Sequence, residues 1–217
     1  MRSASAAQHA SSRVRARAGP LAASVLSLTL LPAVTPAFAV DVTPFAGWRF
    51  GGELNTQQSG YTSTSSLGPA ASFGAIIDIP VGSPHSLELY YSREPTTISG
   101  ALAGSPVRNV TVSVYHLGLA EAVPTHDPRL SWLVVGSAGI TELTASGVSQ
   151  THFSVGVGGA VLFMASEHVG VRLDLRALLT LTGGGGGAVA CSGGCVAQIY
   201  STAFAQGEVG LGVIARF

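Results

Sequence analysis

Few residues in this chain could do chemistry, and they fall into four groups. Cys191-Ser-Gly-Gly-Cys195 places two thiols four positions apart. In an exported chain such a pair is expected to form a disulfide closing a short loop, with free or redox-active thiols as the alternative. A metal would need further ligands, and no His, Asp or Glu occurs between 181 and 199. Gly183 to Gly187 is a run of five glycines, but no Lys and no helix follows to supply a cation or dipole for a phosphate. A surface loop is the better reading. His152-Phe-Ser154 pairs a base with a hydroxyl nucleophile, yet no oriented carboxylate follows on the same strand end, the next acid being Glu167. The last group is ionic: Glu88, Arg172, Asp174, Arg176, Glu208 and Arg216 sit within otherwise apolar segments. No catalytic, cofactor-binding or metal-binding residue is assigned from these patterns.

The surrounding composition is unusual. Of 217 residues, 47% are hydrophobic and only 10% are charged, against about 25% charged in an ordinary soluble domain. Mean hydropathy is +0.43. There are 28 glycines and no Lys, all 11 basic residues being Arg. These values exclude a disordered chain, a coiled coil and a charge-driven nucleic-acid binder. Arg2, Arg13, Arg15 and Arg17 precede an uncharged run from Gly19 that ends in Ala37-Phe38-Ala39. Residues 1–39 are therefore expected to be a signal peptide cleaved after Ala39, with an uncleaved anchor as the alternative. Residues 40–217 then form one domain with 7 Arg, 11 acidic residues and a formal charge of −4. This domain has no stretch of 18 apolar residues, so an apolar, membrane-crossing answer must be a closed β-barrel.

The alternation agrees. Val169, Val171, Leu173, Leu175, Ala177 and Leu179 alternate with Gly170, Arg172, Asp174, Arg176, Leu178 and Thr180. Between 203 and 217 the odd positions are again apolar, while Gln206, Glu208 and Arg216 take even ones. Phe153, Val155 and Val157 alternate with His152, Ser154 and Gly156. Leu87, Leu89 and Tyr91 alternate with Glu88, Tyr90 and Ser92. Strands are predicted at 42–51, 70–79, 86–94, 109–121, 130–141, 151–164, 168–180 and 200–217. The phase is undefined in 109–121 and 130–141, where both faces are apolar. Connections 52–69, 95–108, 142–150 and 181–199 read as longer loops, and 80–85, 122–129 and 165–167 as turns.

The terminal segment Gln206-Gly-Glu-Val-Gly-Leu-Gly-Val-Ile-Ala-Arg-Phe217 and the start Thr43-Pro-Phe-Ala-Gly-Trp-Arg-Phe-Gly-Gly52 resemble the small bacterial outer-membrane β-barrel family of OmpA, OmpX and opacity-protein type. The resemblance implies an all-β fold, an eight-stranded antiparallel up-and-down transmembrane β-barrel in the bacterial outer membrane. It implies outer-membrane lipid and lipopolysaccharide as surroundings, a monomer, and Phe217 as the assembly signal read by the barrel insertion machinery. The surface-loop partner is left open. The same group of barrels includes a lipid A deacylase whose His-x-Ser pair faces lipid. Here the phase turns His152 and Ser154 inward.

Inward orientation is also expected for the charges, because an Arg facing lipid costs about 2–4 kcal/mol at the midplane. Arg176 and Glu208 are expected to lie at one height and pair, with Asp174 bridging Arg172 and Arg176. Trp48, Phe50, Tyr90, Tyr91, Trp132 and Phe217 are expected to supply interfacial aromatic girdles. The reading is a non-enzymatic barrel with a plugged lumen, no cofactor, no nucleic acid, and a structural or surface-interaction role. A narrow pore, a lipid A-modifying enzyme and a secreted soluble sandwich are the alternatives.

Overall fold

The structure is a computed structural model that describes residues 39–58, 61–100, 108–123, 125–145, 147–183, 187–190, 196–199 and 202–217. Residues 1–38 of the expected signal peptide, Cys191 and Cys195, and the centre of the five-glycine run therefore lie outside the described residues.

The chain order is β1 (Asp41–Gly51), β2 (Glu53–Gln58), β3 (Tyr61–Leu67), β4 (Ala70–Gly82), β5 (His85–Gly100), β6 (Arg108–Val123), β7 (Leu130–Ala145), β8 (Val148–Met164), β9 (Val169–Leu181), β10 (Gly187–Ala190), β11 (Val196–Ile199) and β12 (Ala203–Arg216). Eight of these close into an antiparallel ring in the order β1, β4, β5, β6, β7, β8, β9, β12, with β12 returning to β1. Each ring strand neighbours the next ring strand in the chain, which is the up-and-down topology. Full closure leaves the ring no free edge to hydrogen-bond elsewhere.

Period-2 patterning decides which side chains go inside. In β9 the exposed and buried positions alternate without exception, odd residues outward and even residues inward. β12 continues this phase beside it, through the register Leu173↔Leu211 and Arg176↔Glu208. Trp48, Phe50, Trp132, Leu175, Leu211 and Phe217 are all exposed on the outside. Tyr90 is a correction to the expected girdle. It is only 3% exposed, because its phase is that of Glu88 and Ser92.

Besides the extension of β5 to Gly100, which takes up nearly half of the expected loop 95–108, the connections differ from the sequence reading in two ways. First, β7 and β8 extend to the pair Ala145↔Val148, so strand replaces most of the expected loop 142–150. Gly147 supplies a positive φ of 82° there, a conformation that side-chain-bearing residues rarely adopt. Second, 52–69 and 181–199 are not structureless. Gly51 and Gly52, with φ of 87° and 99°, end β1 and let the chain restart as the β2–β3 hairpin. β11 pairs with both β2 and β10, and β3 with the end of β5. The barrel sheet thus continues past the barrel at the end opposite the β4–β5, β6–β7 and β8–β9 turns.

Candidate functional site in the barrel lumen

The inward charges gather into two linked clusters. In the first, Arg172 on β9 donates from Nη1 to Asp78 Oδ2 at 2.7 Å and from Nη2 to Glu88 Oε2 at 2.7 Å. Its Nε and Nη2 both reach Asp174 Oδ2, at 3.0 and 2.9 Å. Arg176 donates to both oxygens of Glu88, at 2.7 and 2.9 Å, and from Nε to Asp174 Oδ1 at 2.6 Å. Asp174 and Glu88 each bridge the two guanidinium groups. Planar five-donor forks suit this two-sided pairing, which Lys could not reproduce.

The second cluster centres on Arg49 of β1. Its Nε donates to Glu208 Oε2 at 2.7 Å, and Nη1 lies 3.7 Å from Glu94 Oε2. Ser92 Oγ donates to Glu208 Oε2 at 2.8 Å, and Gln206 Nε2 to Glu94 Oε2 at 3.0 Å. Tyr90 joins the clusters. Its hydroxyl donates to Glu208, while Arg176 lies 4.2 Å over its ring. Its other neighbour is Phe45, stacked at 5.9 Å.

These contacts cover three buried Arg (Arg49, Arg172, Arg176) and five buried acids (Asp78, Glu88, Glu94, Asp174, Glu208). Every one of the eight makes an ionic contact within the lumen. The formal balance is two negative charges in excess.

Two expectations need correction. Arg176 and Glu208 are cross-strand partners at one height, as the antiparallel register requires. Their side chains nevertheless separate, Arg176 turning to Glu88 and Asp174 and Glu208 to Arg49, Tyr90 and Ser92. Glu88 offers Arg176 a bidentate grip that Glu208, already held by three donors, does not. Arg216 also stands apart: it pairs with Asp41 through two 2.7 Å bonds at the short-turn rim.

Arg49, Asp78 and Glu94 were missed by the sequence reading. Arg49 lies between Trp48 and Phe50, and Asp78 between Ile77 and Ile79, so alternation alone could have turned both inward. Glu94 closed the predicted strand 86–94, whereas β5 runs on to Gly100.

The His152–Ser154 pair is not assembled. Ser154 Oγ, fully buried, lies 2.7 Å from His116 Nε2 and accepts from Thr141 Oγ1 at 2.9 Å. The other ring nitrogen of His116 lies 2.9 Å from Ser137 Oγ. A hydroxyl thus occupies the position where a triad needs a carboxylate to stabilise the imidazolium. Phe217, at the end of the outward row, is 79% exposed and donates its backbone N–H to Val40 O at 3.1 Å.

Comparison with solved structures places the architecture. Neisserial surface protein A superposes with a TM-score of 0.56 at 12% identity, over 82% of this chain and 97% of that one. OprG, an outer membrane protein from Pseudomonas aeruginosa, gives 0.60 at 9% identity, over 83% and 96%. The outer membrane protein AlkL gives 0.51 at 13%, over 83% and 90%. No protein-family model and no curated protein sequence matches the chain. The fold is that of an eight-stranded outer-membrane β-barrel.

Proposed function

We propose that this protein is a non-enzymatic barrel of the bacterial outer membrane, with a lumen plugged by its own ion pairs and a loop-end sheet presented at the cell surface. One observation carries the reading. β9 and β5 are diametrically opposite in the eight-strand ring, yet Arg172 and Arg176 on β9 bond Glu88 on β5 directly at 2.7 Å. Side chains therefore meet across the full width of the lumen, in keeping with the narrow interior of any eight-stranded barrel. Reconstitution of the purified protein in planar bilayers tests this. No stable open-channel current is expected. A stable current, cation-selective because acids are in excess, would replace the plug with a narrow pore.

The non-enzymatic reading draws on the His116–Ser154–Thr141 chain, which lacks a carboxylate and lies inside the barrel, away from lipid. Mass spectra of lipid A should be identical from membranes with and without the protein. A deacylated species that disappears in Ser154→Ala would restore the enzyme reading. Phe217 is proposed to be the residue read by the insertion machinery, since it ends the outward row in an exposed position. Deleting it should leave export intact while the heat-shifted electrophoretic form of the inserted barrel is lost.

A further inference from the structure

We infer that the lipid-facing surface of β4–β7 carries a seat for one phosphorylated lipid, lipid A in the outer leaflet, with a phosphate held by Arg93 and an acyl chain in the groove beneath it. The inference rests on the membrane reading above and adds a site to it. A shallow groove of about 450 Å³ opens on the outer wall between Ile77, Leu89, Tyr91, Tyr115, Leu117 and Ile140. It exists because each of two cross-strand rows ends in one small residue beside three tall ones, at opposite ends of the two rows. One row is Ala75, Tyr91, Tyr115 and Ile140, and the next is Ile77, Leu89, Leu117 and Ala138. The Tyr91 and Tyr115 rings, 5.1 Å apart, form one wall, and Ala75 and Ala138 leave the space beside it. The exposed lining is almost wholly apolar, which matches a hydrocarbon chain and offers nothing to a polar solute.

The row immediately beyond the two tyrosines is Phe73, Arg93, Ser113 and Glu142. Arg93 has the outward phase of Leu89 and Tyr91 and is exposed. Among the described residues its guanidinium makes no ion pair or hydrogen bond. The three buried Arg are paired, as is Arg216 at the rim. Among the described residues Arg93 shares its unpaired state with Arg129, which lies in the β6–β7 turn rather than on the barrel wall. Ser113 beside it is small and buried, and leaves the guanidinium room. The acid of the row, Glu142, is two strands away and accepts a hydrogen bond from Ser149. Arg93 is eight residues beyond His85 at the start of β5. On a strand rising about 3.3 Å per residue and tilted about 40°, that is roughly 20 Å of height in an apolar band about 25 Å tall. Short turns face the periplasm in such barrels, so the backbone of Arg93 lies about 5 Å inside the outer edge of that band. Its long side chain can snorkel to the outer-leaflet headgroups, with Phe73 as its neighbour. A free cation there, continuous with an acyl-sized groove, is complementary to a phosphate on a chain-bearing lipid.

The test is native mass spectrometry of the full folded barrel in detergent, titrated with lipid A or with the same lipid lacking its phosphates. The wild type should retain one lipid A. Arg93→Gln should weaken that retention about tenfold, the loss expected from one charge-assisted contact, and Arg93→Lys should recover part of it. Dephosphorylated lipid should bind wild type and Arg93→Gln alike, and Ala138→Phe, which fills the groove, should lower retention of both lipids. Heat-shifted mobility of each variant reports folding separately, so a failed barrel is distinguished from a failed site. Unchanged lipid A retention in Arg93→Gln and Ala138→Phe, or equal loss of both lipids in Arg93→Gln, would overturn the seat.

Discussion

Two halves of the barrel wall solve the problem of filling the lumen differently. β9, β12, β1, β4 and β5 carry all eight buried members of the two ionic clusters, whereas the inward positions of β6, β7 and β8 are uncharged. The uncharged half packs Val112, Val114, Leu133, Val135, Ala160 and Leu162, interrupted by the neutral His116–Ser154–Thr141–Thr180 chain. Desolvated ions carry a penalty of several kcal/mol each unless every one is matched. Concentrating them on one arc lets each guanidinium reach two or three carboxylates. The facing arc supplies apolar bulk and leaves no charge to be matched. A plug built this way is sensitive on one side to charge and on the other to volume.

The largest effect should follow from breaking the charge match. Arg176→Ala strands Glu88 and Asp174 in a poorly solvated site and removes the cation over Tyr90, so the barrel should lose about 3–5 kcal/mol. Reversible urea unfolding in lipid vesicles measures this. Converting the charged arc toward the apolar one, with Glu88→Leu and Arg176→Met together, should recover most of that loss. A double variant no better than the single would show that the ionic network itself, rather than uncompensated charge, holds the half-barrel.

The same asymmetry explains how far the sequence could be read. β9 and β12 were legible because polar and apolar residues alternate there through Arg172, Asp174, Arg176, Gln206 and Glu208. Segments 109–121 and 130–141 had no readable phase, since Val110, Val112, Val114, Leu133 and Val135 face inward while Leu117, Leu119, Val134 and Ile140 face lipid. When the lumen side is as apolar as the lipid side, period 2 leaves no contrast. Which acid each Arg would choose was also out of reach. Cross-strand register follows from alternation, but partner choice across the lumen depends on which carboxylates are already occupied. The β2–β3 hairpin was hidden because Ser, Thr, Asn and Gln pair as strands there without an apolar face, and β10 and β11 because each is only four residues long, too short to show a period.

Glycine spacing ties the two arcs together. A Cβ on Gly158 of β8 would lie 2.7 Å from the Leu175 carbonyl and 3.0 Å from Arg176 Cγ. Gly158→Val should therefore push Arg176 out of place and cost about 1–3 kcal/mol, the range for overpacking. On the lipid side of the same wall, a Cβ on Gly136 meets nothing within 4 Å. Gly136→Val should leave the unfolding midpoint unchanged within error. Equal effects of the two would mean that lumen crowding does not set the position of Arg176.

The smallest effect belongs to the uncharged arc. Ser154 is fully buried and accepts from Thr141 while facing His116 at 2.7 Å. Ser154→Ala removes one hydroxyl from a chain whose remaining members can still contact each other, Thr180 donating to Thr141 at 3.1 Å and His116 meeting Ser137. A loss of about 1 kcal/mol is expected, the net worth of a neutral hydrogen bond. His152, two residues earlier and part of the sequence pair with Ser154, has no hydrogen bond at Nε2 among the described residues. His152→Ala should change stability by less than about 0.5 kcal/mol. The double variant Ser154→Ala/His152→Ala should equal the sum of the single effects, because residues that share no bond do not couple. Double-variant unfolding that departs from additivity by more than about 0.5 kcal/mol would show that the two side chains do communicate. The arc would then carry a His–Ser interaction where the geometry places only packing and a hydroxyl chain.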